Sequence, residues 1–254
     1  MVKIQYPNIG RTIKEDIKNL KLSAFGMRFS GDWQNLLLQY KGIQAMFEKE
    51  IDYKQEAQFQ TSCREALAGL EDVVVAKVYE DHSTDRVLTM DYQDGLHLDE
   101  FLATNPSQEL RDHFGILIVQ ALTRLWYQEP LVYADPHPGN FLFLPDGRLG
   151  LIDFGCCHRF SDDEFDYVME IEEAARQEDK TALRAAMAKG CDLEPEGIVG
   201  ERADLIQRYT DWTWGPILQK GPFDYGVPGQ YAEGVKIYGE FIKKRYVRSQ
   251  PINV

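Results

Sequence analysis

The fold of this chain is easiest to predict from the stretch between Leu131 and Cys157, which reads LVYADPHPGNFLFLPDGRLGLIDFGCC. Two apolar runs, 141–144 and 149–152, are separated by Pro145-Asp146-Gly147. An Asp-Gly turn between short apolar runs predicts a β-hairpin. The side chains before and after it that can bind a metal ion are Asp135, Asn140 and Asp153. We therefore expect all three at the same end of one small β-ribbon.

This order of polar residues suits phosphoryl transfer. Mg²⁺ prefers hard oxygen ligands and usually keeps several waters, so two or three protein oxygens can hold it against nucleotide phosphates. The spacing D-x-x-x-x-N, followed after a hairpin by D-F-G, is that of a protein-kinase catalytic loop and metal loop. We predict Asn140 and Asp153 as metal ligands, and Asp135 as the catalytic residue that orients the acceptor hydroxyl or water. A D-F-G tripeptide alone would fit an ordinary acidic loop equally well.

The catalytic loop also resembles that of a known family. Residues 134–140, A-D-P-H-P-G-N, resemble the signature of the UbiB/AarF (ADCK-like) atypical kinases, a family linked to coenzyme Q biosynthesis. This chain has Tyr133 where the family usually has histidine, which we interpret as a change in loop packing. The resemblance implies an α+β, protein-kinase-like fold with two lobes, the larger one mostly helical. It also implies ATP (or ADP) and Mg²⁺ as cofactors.

The first sixty residues carry further motifs of this family. V-K-I-Q-Y-P resembles the end of its third small-lobe strand, which implies that Lys3 contacts nucleotide phosphates. The run E-I-D-Y-K-Q-E-A at 50–57 resembles the family pattern E-x-D-Y-x-x-E-A. The resemblance implies that Glu56 pairs with Lys3, as the helix-C glutamate of kinases does. The resemblance also implies that Glu50 and Asp52 belong to the quality-control apparatus that this family has around its active site.

A phosphate-binding loop is missing from this pattern. A kinase-like fold places a glycine-rich loop, alanine-rich in this family, on the two strands before the lysine, and the family adds an N-terminal K-x-G-Q motif. Neither can precede Met1, and no G-x-G-x-x-G occurs downstream. We therefore expect a fragment of a longer protein whose small lobe lacks its first strands. Residues 1–92 would form this partial small lobe with a helical insert, and residues 93–254 the large lobe.

The middle of the chain predicts a hinge between the lobes. Residues 73–79 and 86–92 are typical of an antiparallel strand pair around a polar turn. The exit of the second strand resembles a kinase hinge, where adenine would hydrogen-bond backbone groups of Asp91 and Tyr92.

Helices are predicted on both sides of this hinge. Apolar spacing indicates helices over 12–22, 98–102 and 108–129, and the last carries a continuous apolar face that we expect to be buried. Ser161 followed by Glu164 predicts a helix that starts with a capping box. No A-P-E motif or long activation loop follows D-F-G, which favours a small or lipid-like substrate over a peptide.

Composition restricts the partners. The formal net charge of −13 argues against a nucleic-acid binder, because no dominant basic field exists to displace counterions. The sequence contains no run of about 18 apolar residues, so it predicts no transmembrane segment. The four cysteines form no C-x-x-C pair and no zinc-site spacing, so we interpret them as reduced thiols in a cytosol-like compartment; they are Cys63, Cys156, Cys157 and Cys191. We expect this chain to lie in the cytoplasm or on the matrix side of an organelle.

The basic tail at 243–248 could attach weakly to anionic lipids. The preference of a helix C-terminus for positive charge explains this tail equally well.

These features predict an Mg²⁺-dependent, ATP-binding atypical kinase or ATPase that supports ubiquinone (prenyl-quinone) biosynthesis, with a prenylated lipid or quinone precursor as partner. Two alternatives stay open. One is a small-molecule kinase of the aminoglycoside- or choline-kinase sort, against which P-H-P-G-N and the segment 50–52 weigh. The other is a truncated nucleotide-binding protein without turnover.

Overall fold

The structure, a computed structural model, describes residues 1–23, 37, 40, 44, 45, 47, 49, 51–190, 197–221, 223, 224 and 226–244. Within these residues, helices and short strands combine in an α+β fold, which confirms the predicted class. The chain divides into two compact units, residues 1–160 and residues 161–250. The predicted lobe boundary between residues 92 and 93 stays a prediction.

The first unit contains all the strands found among the described residues. In chain order its elements are β1 (Val2–Ile4), α1 (Ile9–Ser23), α2 (Tyr53–Ala66), β2 (Val73–Val75), β3 (Val87–Thr89), α3 (Leu98–Ala103), α4 (Gln108–Gln128), β4 (Leu131–Tyr133), β5 (Phe141–Phe143), β6 (Leu149–Leu151) and β7 (Cys157–Arg159). The helices predicted over 12–22, 98–102 and 108–129 are confirmed to within a few residues at their ends.

These strands pair in small sheets. β1 is antiparallel to β3, which places Lys3 opposite Leu88. β6 lies between β2, to which it is parallel, and β5, to which it is antiparallel. β4 is antiparallel to β7. The β5–β6 pair is the hairpin predicted from the Asp-Gly turn, and Gly147, at φ 86°, supplies the left-handed conformation that the turn requires.

The predicted antiparallel pairing of 73–79 with 86–92 is wrong for most of its length. β2 pairs with β6 and β3 pairs with β1, while the two runs meet at one antiparallel bridge between Val78 and Met90. Both runs do contain strands, because their valine-rich sequence favours extended backbone. Local sequence does not determine which distant strand becomes the partner.

The core of the first unit is built around α4. Its predicted apolar face is buried at Phe114, Leu117, Ala121 and Leu125, with Ile118 and Leu122 partly buried beside it. Phe101 of α3 stacks on Phe143 of β5 with ring centroids 4.5 Å apart. Each fully buried side chain of this size contributes about 1.5–3 kcal/mol. This packing holds the hairpin from which the two polar loops emerge.

The second unit is helical where the structure describes it. Its helices are α5 (Asp162–Arg176), α6 (Lys180–Gly190), α7 (Glu201–Leu218) and α8 (Gln230–Lys244). The predicted capping box is confirmed, since Ser161 Oγ accepts from the Glu164 amide and Glu164 Oε2 accepts from the Ser161 amide. None of the described helices is long and apolar enough to cross a membrane.

Candidate active site

Lys3 lies at the centre of the candidate site. Side chains alternate across a strand, and Val2 and Ile4 are exposed while Lys3 turns its partly buried side chain the other way. Its Nζ donates to Glu56 Oε1 at 2.8 Å and Oε2 at 3.0 Å, and to Asp153 Oδ2 at 3.2 Å. The structure therefore brings together three residues that lie far apart in the sequence.

Glu56 belongs to the buried face of α2. It is 1% exposed, and its Oε1 also lies 3.5 Å from the donating amide of Phe154. Burial raises the pKa of the Glu56 carboxyl, an effect that Lys3 offsets in part. Burial alone would lower the pKa of Lys3, but the neighbouring carboxylates outweigh it and the net change is upward. The ammonium is thus held in its charged form.

Asp153 adopts an unusual backbone conformation directly after β6. Its φ of 66° lies in the left-handed region, which aspartate tolerates better than most residues because its short side chain can hydrogen-bond locally. Oδ1 accepts from the Gly155 amide at 3.2 Å, and Oδ2 faces Lys3. Such backbone conformations concentrate at functional sites.

The predicted catalytic loop is stabilised by hydrogen bonds from its own side chains. Asn140 Nδ2 donates to the Asp135 carbonyl at 3.0 Å and to Asp135 Oδ2 at 3.1 Å. His137 Nδ1 accepts from the Gly139 amide at 3.0 Å, at the start of a short 3₁₀ turn, Pro138–Asn140. The structure therefore places Asp135 and Asn140 in direct contact, with Asp135 exposed to solvent.

Ile152 joins this loop to Asp153. Its amide donates to the Asn140 carbonyl at 3.0 Å, and its carbonyl accepts from the Tyr133 hydroxyl at 2.6 Å. Tyr133 is buried, and burial raises the pKa of its phenol, which keeps the hydroxyl protonated as a donor. Tyrosine at this position makes a specific hydrogen bond, a contact that the sequence alone did not reveal.

The donor set fits a magnesium ion. No three His, Cys, Asp or Glu side chains form a metal cluster in the part of the chain that the structure describes. The predicted ligands are instead one carboxylate, Asp153, and one amide oxygen, that of Asn140, whose nitrogen already points to Asp135. Mg²⁺ keeps most of its waters when it is bound through one or two protein groups, so these donors fit Mg²⁺ in number and chemical type.

The predicted hinge residues have other contacts. Asp91 accepts from the Tyr79 hydroxyl at 2.6 Å, which lowers the pKa of its carboxyl. Its amide donates to the Lys77 carbonyl at 3.0 Å, so that donor is already engaged. Tyr92 is exposed. The Lys3 ammonium bonds to Glu56 and Asp153 instead, and the role of Asp91 and Tyr92 in binding adenine stays a prediction.

The acidic motif at 50–57 is partly explained by local structure. Asp52 is the N-cap of α2, accepting from the amides of Lys54 and Gln55. It therefore stabilises the helix that carries Glu56, a role that the cap preference of aspartate could have indicated. Glu50 lies outside the described residues, so its predicted role stays a prediction.

Sequence reasoning missed two glutamines that support this arrangement. Gln5 Nε2 donates to the Ile51 carbonyl at 2.8 Å, joining β1 to the entrance of α2. Gln60, fully buried, donates to the Ala76 carbonyl at 2.8 Å. Gln60 lies four residues after Glu56, which puts both on the same helix face. This spacing could have indicated that Gln60 is buried beside Glu56.

Comparison with known proteins gives the family of the chain. The family model of the ABC1 atypical kinase-like domain matches residues 1–187. The chain belongs to this family. Its relatives include COQ8B- and AarF-type kinases, which confirms the resemblance stated from the sequence. Membership establishes a kinase-like protein.

Two curated relatives and one solved structure give the extent of the similarity. A chloroplastic aarF domain-containing protein kinase of Arabidopsis thaliana is 32% identical over 178 residues, 66% of this chain and 23% of that protein. The mitochondrial atypical kinase COQ8B of Danio rerio is 29% identical over 197 residues, 76% of this chain and 30% of that protein. The chain thus spans less than a third of either relative.

The solved structure is that of Rv3197 from Mycobacterium tuberculosis in complex with erythromycin, with a TM-score of 0.60 and 22% identity. The similarity covers 94% of this chain and 64% of that one. It confirms the kinase-like fold.

Proposed function

We propose that this chain carries the Mg²⁺-nucleotide site of an atypical kinase or ATPase of the UbiB type, and that its activity supports ubiquinone (prenyl-quinone) biosynthesis. The observation that carries the proposal is the position of the Lys3 ammonium, 2.8 Å from Glu56 and 3.2 Å from Asp153. Family membership supports a nucleotide as ligand. The quinone assignment rests on the resemblance to the coenzyme Q kinases.

Lys3 has the task of binding phosphate. An ammonium has three N–H donors, and Glu56 and Asp153 together engage them. The Asp153 contact is the longer and more exposed of the two ion pairs, so a phosphate oxygen can replace it while Glu56 keeps the side chain in place. In a chain of net charge −13, this local cation offsets the repulsion that a nucleotide would otherwise meet.

Asp153 and Asn140 would hold the metal ion, and Asp135 would orient the acceptor. When bound, Mg²⁺ supplies charge neutralisation at the phosphates. The Asn140 amide fixes the Asp135 carboxylate by a 3.1 Å hydrogen bond, which leaves the exposed side of Asp135 for an acceptor hydroxyl or water. The bond from the Ile152 amide to the Asn140 carbonyl connects the loop that carries Asn140 to the residue before Asp153, which supports assigning both to one metal site.

The acceptor and the location belong to the same proposal. The absence of an A-P-E motif from the sequence supports a small or lipid-like acceptor, such as a prenylated quinone precursor, over a peptide. The relatives named above are designated chloroplastic and mitochondrial, which supports the matrix side of an organelle. The proposal also includes the cytoplasm as an alternative and peripheral attachment to a membrane.

Nucleotide binding tests the site directly. Melting temperature is measured with MgATP, MgADP and each nucleotide without Mg²⁺. A ligand at a hundred times its Kd stabilises the folded state by about 2.7 kcal/mol. We expect a Mg²⁺-dependent shift that disappears in Asp153→Asn, a change that preserves shape and tolerates the same backbone conformation. Asp146→Asn, at the exposed hairpin turn, is the matched control and should keep the shift. Equal shifts in both variants would refute the metal assignment.

Turnover is measured separately, as phosphate release with and without acceptors. Hydroxylated aromatics and prenyl lipids are compared with aminoglycosides and choline, and Asp135→Asn should lose turnover while it keeps nucleotide binding. Phosphorylation of an aminoglycoside or choline would favour the small-molecule kinase instead. Nucleotide binding without turnover under all conditions would favour a binding protein.

A further inference from the structure

An open groove of about 340 Å³ lies between α7 and α8 in the second unit. Its lining positions on α7 are spaced by three and four residues, as are those on α8, so each helix presents one face to it. The lining residues that matter here are Arg208, Asp211, Trp212, Gly215, Glu233 and Ile237. None of them belongs to the proposed nucleotide site.

The two helices are in close contact at one end of this groove. Trp212 Nε1 donates to the Gln230 carbonyl at 2.8 Å. A Cβ atom on Gly234 would lie 2.2 Å from the Trp212 ring, so glycine is required there for the helices to pack. The indole is therefore held in a fixed position, with part of its surface left to line the groove.

Two residues that disfavour helix line the groove. Gly215 and Pro216 stand in the interior of α7, and both destabilise helices relative to alanine. Close packing does not require the glycine, because a Cβ atom there would meet no atom within 4 Å. Pro216 has no amide hydrogen to donate to the Trp212 carbonyl four residues earlier. The space that a side chain at Gly215 would occupy is therefore part of the groove.

The charged side chains that line this groove differ in whether they form ion pairs. Arg208 binds Glu233 at 2.7 Å and Glu240 at 3.2 Å, and these hydrogen bonds lower the pKa of Glu233 and raise that of Arg208. Asp211 instead accepts from the neutral amide of Gln207 at 2.8 Å. Among the described residues, no ion pair within 4 Å matches the Asp211 carboxylate.

We propose that this groove binds a small organic cation, a protonated amine attached to an apolar body. The ammonium would lie at the Asp211 carboxylate and the face of Trp212, which attracts cations through its π-electrons. The apolar body would cover Pro216 and the part of Trp212 that lines the groove. An anion is disfavoured, because the guanidinium of Arg208 is already bound by two carboxylates. The volume lies at the lower end of the range for small-molecule sites.

The test uses three probes of similar shape and different charge. Binding of 2-phenylethylammonium, 2-phenylethanol and phenylacetate to the whole chain is measured by calorimetry and ligand-observed NMR. We expect the cation to bind about three- to tenfold more tightly than the alcohol, the range for an exposed charge pair with an aromatic contact, and the anion to bind most weakly. Equal binding of all three, or no binding of any, would overturn the proposal.

Two variants locate the probe. Asp211→Asn should abolish the preference for the cation, whereas Asp166→Asn, which removes an exposed charge from α5, should retain it. Gly215→Leu fills the groove with a helix-favouring side chain, so we expect all three probes to lose affinity while the melting temperature holds or rises. Unchanged affinity in Gly215→Leu, or equal losses in the two aspartate variants, would show that the probes bind elsewhere.

Discussion

Replacing Tyr133 by phenylalanine removes one hydroxyl and should lower the free energy of unfolding by about 1–3 kcal/mol, the cost of leaving a buried acceptor without its donor. The hydroxyl donates to the Ile152 carbonyl at 2.6 Å, and the side chain is 6% exposed. The ring keeps its contacts with Phe154 and Phe141, at centroid distances of 5.6 and 6.1 Å. The substitution therefore leaves no large cavity, and the hydrogen bond accounts for the effect.

The same change should weaken nucleotide binding beyond its effect on stability. Ile152 precedes Asp153, whose φ of 66° must be maintained by its surroundings. Loss of the bond on one side of the Ile152 peptide allows the Asp153 carboxylate to move away from Lys3. Urea unfolding gives the stability, and calorimetry with MgADP at a temperature where the variant is fully folded gives the affinity. The melting temperature should fall by about 2–12 °C.

Two comparisons make this result interpretable. Tyr238→Phe, on the exposed side of α8, should change stability by no more than about 0.5 kcal/mol. Tyr133→His restores a donor and is the residue usual in the family, so it should recover part of the lost affinity. If Tyr133→Phe unfolds within about 0.3 kcal/mol of the parent, the hydrogen bond does not join the two loops and the reasoning fails.

Three other substitutions test single contacts. Because burial raises the pKa of Glu56 above 4.5, the folded protein binds its proton to higher pH than the unfolded chain, and stability from this group falls as pH rises above 4.5. Glu56→Gln should flatten that dependence in urea titrations, and an unchanged slope would contradict it. Asp52→Ala should lose about 0.5–2 kcal/mol in urea unfolding by removing the cap of α2, while Asp52→Asn, which can still cap, should lose much less. Leu125→Ala should cost about 2.7–5 kcal/mol by thermal unfolding, whereas the more exposed Leu110→Ala should cost far less.

The parts of the fold that sequence predicted are those determined by neighbouring residues. The hairpin follows from Asp146-Gly147 between apolar runs, and the start of α5 follows from Ser161 and Glu164, three residues apart. Strand partners are different, since β2 joins β6 although more than seventy residues separate their starts. A valine-rich strand pairs equally well with several partners, and the packing of the whole unit decides among them.

The candidate site shows the same division. The loop 135–140 and Asp153 were recognised from their spacing, whereas the pairing of Lys3 with Glu56 was implied by the family and spans 53 residues. Spacing alone could not place a strand lysine against a buried helix glutamate. The capping role of Asp52 follows from local sequence, because aspartate is a preferred N-cap residue, whereas its family role stays a prediction.

The two carboxylates that share Lys3 differ in exposure, and this difference assigns them different tasks. Glu56 is 1% exposed, while the side chain of Asp153 is 35% exposed. Separating Lys3 from Glu56 would leave a buried charge without a partner. Losing one partner of a buried ion pair typically costs about 3–5 kcal/mol of stability. Asp153 can exchange its partner for water or a ligand with a much smaller loss, because solvent already reaches it. In the proposed nucleotide site, phosphates or a metal ion would therefore compete with the Lys3–Asp153 contact and leave the Lys3–Glu56 contact in place.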